Sequence, residues 1–342
     1  LTLWEGGHPW ELDPVTLDTR GEFDYHGVLK YLWPFSAHGK INPRTGEYIN
    51  FGVQPGKTSR INLYRVSPQG RVVDTGHFPL RAPVFLHDFA LTEHYAVFMI
   101  GPVEFKRWWR FLAGICALDE CMEFDPAVAS RVMVIDLRTM ELVLDGEVPP
   151  GVFIHFGNAY EEGRRIVLEV TRYPNFDVDS ALRDVFNSES PDAGDLYRYT
   201  IDLDSKRIDE QKVEGMLQCE FPVWDWRRGG ERHRYLWAAT MADNGTQIFF
   251  NSIQKLDRDT GAVQTHDFGP GRFTMEPLLM PRHADAGEDE GYLATLVYDY
   301  HKDRSEVVVL DAADITRTVA VATLRHHVPF GFHGCYVPKT FT

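Results

Sequence analysis

"DLYRYTIDLDSKRID", residues 195–209, runs through aromatic and β-branched residues in period-two alternation, meets Asp202, and turns back after Ser205. Alternation of this kind is the signature of a half-buried strand. An Asx side chain can accept hydrogen bonds from backbone N–H groups two and three residues on, so Asp202 followed by Ser205 predicts a hairpin turn with a stated cause. The same formula recurs at Asn42-Thr45-Gly46, Asp136-Thr139 and Asp257-Thr260-Gly261, with looser copies at Asp13-Thr16 and Asp311-Asp314. Gly after the turn accepts positive φ. Further strand-like runs include "RINLYRVS", "YAVFMI", "RVMVIDL", "RRIVLEVTRY", "YLATLVYDY" and "SEVVVLDA".

Antiparallel hairpins spread over 342 residues must protect their edge strands, and radial repetition into a β-propeller does so around a central axis. The expected class is therefore all-β, a propeller in the first place, with a stacked β-sandwich as the other architecture that the pattern allows. Helix is expected only in insertions, "EFKRWWRFLAGICALDECMEF" (104–124) and "DVDSALRDVFNS" (177–188).

The 44% apolar content suits a sizeable core. With 50 acidic against 35 basic side chains, the formal charge of -15 opposes phosphate neutralisation, so nucleic acid is excluded as the expected partner. Cys116, Cys121, Cys219 and Cys335 show no CxxC spacing, which points away from a zinc ribbon or a disulfide framework and toward a cytoplasmic setting. The chain has no apolar run of membrane-spanning length. It opens on "LTLWEGGHPW" without a Met or a signal-peptide pattern, so residues upstream of Leu1 are expected in the intact protein.

Of the 14 histidines, four follow an apolar or small residue at the mouth of a strand-like segment. They are His38 in "FSAHGKINPRTGEY", His87 in "VFLHDFALTEHYAVF", His155 in "VFIHFGNAYEE" and His333 in "VPFGFHGCYVP". They stand 49, 68 and 178 residues apart, far from the spacing by which one helix presents two ligands. Inner strand ends of a propeller converge whatever their sequence separation. Four imidazoles alone suit Fe, Zn, Cu or Ni, and four separate core histidines remain the alternative at this point.

Those four segments, in this order, resemble the blocks of the carotenoid cleavage oxygenases, which include apocarotenoid oxygenases, stilbene-cleaving dioxygenases and the retinoid isomerohydrolase. The resemblance covers the whole chain. It implies a seven-bladed β-propeller, residues 1–342 forming one such domain with an N-terminal segment of the family fold upstream, and loops and short helices capping an axial metal. It also implies Fe2+ held by His38, His87, His155 and His333, with Glu5 in "LTLWEGG", Glu220 in "QCEFPVW" and Glu276 in "FTMEPLL" accepting from the ligands' other ring nitrogens.

The implied activity is O2-dependent cleavage of a conjugated C=C bond of a carotenoid or apocarotenoid into two carbonyl products. Stilbene cleavage, isomerisation on the same iron, and a non-catalytic propeller binding a hydrophobic ligand are the alternatives. The stilbene branch resembles a pattern with Lys before the first glutamate; here that residue is Trp4, which favours an apolar substrate. Adjacency to ligand positions nominates Trp4, Phe85 and Ile154 as substrate-lining. Residues 105–118 combine Trp108, Trp109, Phe111, Leu112 and Ile115 with Lys106, Arg107 and Arg110. They are expected either to cover the core as an amphipathic helix or to contact a membrane peripherally. Gly39 departs from the Pro usual after the first ligand and is expected to loosen the backbone there.

Overall fold

The structure, a computed structural model, describes residues 1–56, 58–176, 193–245 and 249–339. The helix expected at 177–188 lies outside the described residues. Strands make up 47% of the structure and helix 3%, so the fold is all-β.

Ribbon β1 (Trp10–Leu12) and β2 (Thr19–Glu22) comes first. The first sheet is the meander β3 (Lys40–Ile41), β4 (Tyr48–Gln54), β5 (Arg60–Val66) and β6 (Val72–Pro79). The second contains β7 (Ala90–Leu91), β8 (Tyr95–Ile100), β11 (Ser130–Asp136) and β12 (Glu141–Val148). It is interrupted by a ribbon of β9 (Val103–Phe105) and β10 (Met122–Phe124) that carries helix α1 (Trp108–Leu112). The third is β13 (Val152–Glu162), β14 (Arg165–Tyr173), β15 (Asp195–Asp202) and β16 (Ile208–Lys212). The fourth is β17 (Cys219–Val223), β18 (Tyr235–Thr240), β19 (Ser252–Asp257) and β20 (Val263–Asp267). The last holds β21 (Arg272–Thr274), β22 (Leu278–Pro281), β23 (Gly291–Asp299), β24 (Arg304–Asp311) and β25 (Thr318–Thr323). All pairings between these strands are antiparallel.

The Asx turns form as their chemistry dictates. Asp202 Oδ1 accepts from the N–H groups of Asp204 and Ser205 at 3.1 and 2.8 Å, and Asp136 Oδ1 from Arg138 and Thr139 at 2.8 and 3.0 Å. The same caps close the turns at Asp13, Asn42, Asp257 and Asp311. The residue four beyond the Asx is left-handed in five of these turns, at Leu17, Gly46, Met140, Lys206 and Gly261. Three of the five are not glycine, so the Asx cap sets the turn even without one.

Successive sheets stack face to face in chain order. β8 is buried on both sides, and its alternation divides it between two cores. Ala96, Phe98 and Ile100 join Ile49, Phe51, Ile61 and Leu63 of the first sheet, while Val97 and Met99 join Phe156, Ile166, Leu168 and Tyr199 of the third. Leu196 meets Cys219, Leu236 and Ala238 between the third and fourth sheets, and Trp237 and Ile253 meet Leu293, Val297 and Leu310 between the fourth and last. Each such aliphatic side chain stabilises the fold by about 1.5–3 kcal/mol through burial. The described residues supply five sheets of four or five strands and two two-stranded ribbons, rather than seven full blades.

The segment 104–124 is not one helix. β9 and β10 pair across its base, and α1 is one short helix between them. Gly114 ends it at φ +67°, with Ile115 N donating to Arg110 O and Gly114 N to Phe111 O, each at 2.9 Å. That hydrogen-bond pair is a Schellman stop, which an amphipathic pattern alone does not announce. No residue of α1 is buried; Trp108, Trp109, Leu112 and Ile115 are each more than half exposed, so this helix does not cover the core. Among the described residues no helix is long and apolar enough to cross a membrane.

Candidate metal centre

The four histidines predicted from sequence come together. His38 lies in the turn before β3, His87 just ahead of β7, His155 within β13, and His333 in the segment after β25. One nitrogen from each lies within 4.8 Å of the corresponding nitrogen of every other. His155 Nε2 is 3.2 Å from His87 Nε2 and 3.0 Å from His333 Nε2. The His38 ring centroid lies 4.2 Å from that of His87 and 4.7 Å from that of His333.

Carboxylates back this cluster in a graded way. Glu220, 3% exposed on β17, sits with Oε2 2.5 Å from His155 Nδ1. It also accepts from its neighbour Phe221 N at 2.9 Å and from the Thr171 hydroxyl at 2.8 Å. Glu276, between β21 and β22, has Oε1 3.2 Å from His333 Nδ1 and fixes the following residue by accepting from Gly334 N at 2.9 Å. Glu5 is looser and more exposed, 3.5 Å from His87 Nδ1 and 3.9 Å from His38 Nε2.

Burial, reinforced by the neighbouring imidazoles, holds His38 and His87 far below the ordinary histidine range, so both are neutral. At His155 burial acts in the same sense, but the charge and hydrogen bond of Glu220 outweigh it and raise the value. Glu220 thereby keeps the Nδ1 proton of His155 and leaves Nε2 directed at the other rings.

This donor set fits a transition-metal cation. Three Nε2 atoms converge on one another, and three lone pairs cannot satisfy each other without a shared proton or cation. His38 Nε2 is buried without a hydrogen-bond partner among the described residues, a position that is costly unless it coordinates. Neutral imidazoles are the form that binds such ions, and three carboxylates nearby offset the ion's charge.

A cavity of about 480 Å³ opens beside the cluster, lined by His38, His155 and His333 together with Phe221, Trp224 and Leu278. Phe221 stands with its ring 5.1 Å from His155 and 5.6 Å from His333, at φ +56°. A left-handed non-glycine costs about 1–2 kcal/mol, and here that conformation places a large apolar ring against two ligands.

Trp4, Phe85 and Ile154 are not among this cavity's lining. Phe85 stacks parallel on His87 at 6.0 Å and joins Ile154, Val103 and Tyr173 in an apolar cluster, whereas Trp4 is 54% exposed. Phe221 is not legible from the sequence although it directly follows Glu220, because its left-handed backbone, which Phe does not favour, is what turns it onto the cluster.

Gly39 is not loose. A Cβ there would fall 1.9 Å from Tyr48 Oη, so the glycine lets the His38 turn lie flat on Tyr48 and Asn50.

The family described as retinal pigment epithelial membrane protein matches residues 1–338. The chain is 33% identical over 348 residues to apocarotenoid-15,15'-oxygenase of Synechocystis sp., covering 98% of this chain and 70% of that protein. It is 31% identical to carotenoid 9,10(9',10')-cleavage dioxygenase 1 of Arabidopsis thaliana, covering 99% and 64%. The crystal structure of cobalt-substituted Synechocystis apocarotenoid oxygenase superimposes with a TM-score of 0.87 at 31% identity, over 97% of this chain and 70% of that one. With its four segments assembled into one histidine cluster and its matches spanning the chain, this protein belongs to the carotenoid cleavage oxygenase family.

Proposed function

We propose that this chain is an oxygenase that cleaves a conjugated C=C bond of an apocarotenoid or carotenoid with O2 to give two carbonyl products. The observation that carries the reading is the convergence of His38, His87, His155 and His333 backed by Glu220 and Glu276. Carotenoid cleavage oxygenases are iron enzymes, and these four histidines are the residues that would hold Fe2+ here. When bound, ferrous iron supplies the activation of O2 that a protein side chain cannot.

The chain's own residues do the rest. Glu220 and Glu276 fix ring orientation and tautomer at His155 and His333. Phe221, Trp224 and Leu278 on one side, and Phe85 on the His87 ring, offer apolar surface that positions a polyene by shape and excludes water. The cleavage consumes no proton at a side chain, so no acid or base residue is assigned.

Residues 1–342 form one propeller domain in this reading, the five stacked sheets being part of its ring. The exposed apolar loop 105–118, with Lys106, Arg107 and Arg110 at headgroup level, lets a cytoplasmic enzyme lie on a leaflet and draw a lipid-soluble substrate from it.

The test is anaerobic loading with Fe2+, then 18O2 with a panel of apocarotenoids, carotenoids and hydroxystilbenes under mass-spectrometric detection. Labelled aldehydes or ketones from polyenes are expected. Cleavage confined to hydroxystilbenes would move the substrate to the phenolic branch, and products without 18O would refute oxygenation.

A further inference from the structure

Next to the histidine cluster, lining the same cavity, lies an ion pair between a buried carboxylate and a partly buried ammonium that the metal reading leaves unused. Asp88, 2% exposed, directly follows His87; Lys40 is two residues beyond His38. Lys40 Nζ lies 2.9 Å from Asp88 Oδ1 and 3.2 Å from Oδ2. The same carboxylate accepts from Phe89 N through Oδ1 at 2.7 Å and from Phe156 N through Oδ2 at 2.9 Å. Phe156 directly follows His155. One carboxylate therefore ties together the backbone or side chains beside three of the four histidines, which come from three different sheets. The fourth has its own tie, because Gly334, following His333, donates to Glu276.

We infer that Asp88, clamped by Lys40, is a positioning residue that sets the spacing of the His38, His87 and His155 segments so that their imidazoles share one cation. The inference rests on the four-histidine reading above. Three features favour a positional role over a role in charge compensation. The Lys40 ammonium offsets the carboxylate's charge, so the pair as a whole is neutral, although Lys40 is felt at His38 and His87 and Asp88 at His155. Both carboxylate oxygens are engaged by backbone N–H groups, Oδ1 by the neighbouring Phe89 and Oδ2 by Phe156 of the third sheet, and side-chain charge alone does not require the second. Lys40 is itself held, with its ammonium 5.7 Å from the Phe89 ring and 5.9 Å from the Trp224 ring.

Asparagine cannot replace this aspartate. Its carbonyl oxygen could accept from Phe89 N or from Phe156 N, but its amide group would then face the other N–H, donor against donor. The Asp88→Asn variant breaks one of the two ties and leaves the Lys40 charge facing the site. A Lys40→Met/Asp88→Asn double variant removes the charge imbalance while leaving the tie broken.

The experiment uses Co2+ as probe with the full chain, reading the visible d–d absorption band and the rate of cobalt loss to an excess of chelator. Far-UV circular dichroism and thermal unfolding of the metal-free protein run in parallel. The unsubstituted chain is expected to bind cobalt with a defined band and His155→Ala to lose it. Asp88→Asn and the double variant are both expected to bind roughly 10- to 100-fold more weakly, with an altered band. Val308→Ala, in the core of the last sheet, is expected to lower thermal stability with the cobalt band and off-rate unchanged.

Failure of the unsubstituted chain to bind cobalt would overturn the four-histidine reading, and the brace with it. Cobalt binding by Asp88→Asn equal to that of the unsubstituted chain would overturn the brace alone. So would full recovery in the double variant, which would leave charge as the whole effect. Should Asp88→Asn not fold, Lys40→Met alone decides: a faster cobalt off-rate supports the clamp, and an unchanged one overturns it.

Discussion

Replacing Glu220 by Gln removes a charge while preserving the shape of the most tightly backed ligand. The wild-type carboxylate meets His155 Nδ1 at 2.5 Å, with 4% side-chain exposure, and also accepts from Thr171 and Phe221. A glutamine can keep its oxygen on His155 and Phe221 and donate its amide to the Thr171 hydroxyl, so the geometry survives. What is lost is the difference between a charged and a neutral hydrogen bond. In a site this dry, that difference is on the order of 1–2 kcal/mol. At about 1.4 kcal/mol per factor of ten, metal affinity is expected to fall roughly 5- to 30-fold.

The same reasoning ranks the other carboxylates. Glu276 lies at 3.2 Å with 17% side-chain exposure, and Glu5 at 3.5 Å with 46%, so the losses should decrease in the order Glu220→Gln, Glu276→Gln, Glu5→Gln. Competition titration of Fe2+ against a calibrated chelator under argon measures all three. An unchanged affinity in Glu220→Gln, or the largest loss in Glu5→Gln, would refute the claim that burial and distance set the strength of each backing contact.

Three further outcomes follow from other parts of the molecule. Glu169 is fully buried; burial alone would raise its carboxyl, but the His233 ring, with Nε2 3.5 Å from Oε2, and the charges of Arg258 and Arg198 hold it down at about 2. Because the folded value lies below the unfolded value of 4.5, its stabilisation of about 3 kcal/mol is complete above that pH and is lost as pH falls toward 2. Urea unfolding should therefore show Glu169→Gln costing more at pH 7 than at pH 3, and an equal cost at both would contradict the assignment. Gly39→Ala should disturb the His38 turn, because the added Cβ would fall against the Tyr48 hydroxyl and ring and the Asn50 amide, and should lower metal affinity; normal metal binding by this variant would contradict the close approach. Trp108→Glu/Trp109→Glu should abolish flotation with liposomes while leaving cobalt binding intact; undiminished flotation would remove the leaflet from the proposed function.

What was legible in the sequence was local chemistry or carried by quoted blocks. The Asx turns at Asp136, Asp202 and Asp311 could be read because donor and acceptor lie within three residues. The four histidines were found through the resemblance of their segments, since no spacing rule links residues as far apart as His155 and His333. Asp88 and Lys40 escaped notice because their bonds depend on how separate sheets stack, and nothing near "HDF" or "HGK" announces a partner dozens of residues away. Residues 104–124 carry the one α-helix among the described residues, as expected, but its shortness is not legible, because apolar and basic residues in the right rhythm say nothing of β9 pairing with β10, nor of the stop at Gly114. Phe221 was overlooked for a related reason: its left-handed backbone turns it onto His155 and His333, and Phe carries no preference for that conformation.

The most direct measurement is iron content per chain by elemental analysis after anaerobic reconstitution with Fe2+ and removal of excess. It should be made on the unsubstituted protein and on alanine variants of His38, His87, His155 and His333 that keep the native circular-dichroism spectrum. One iron per chain, lost or sharply reduced in every one of the four variants, is the result the structure predicts. Iron that stays bound when any of these rings is removed, or no iron retained by the unsubstituted chain, would contradict it.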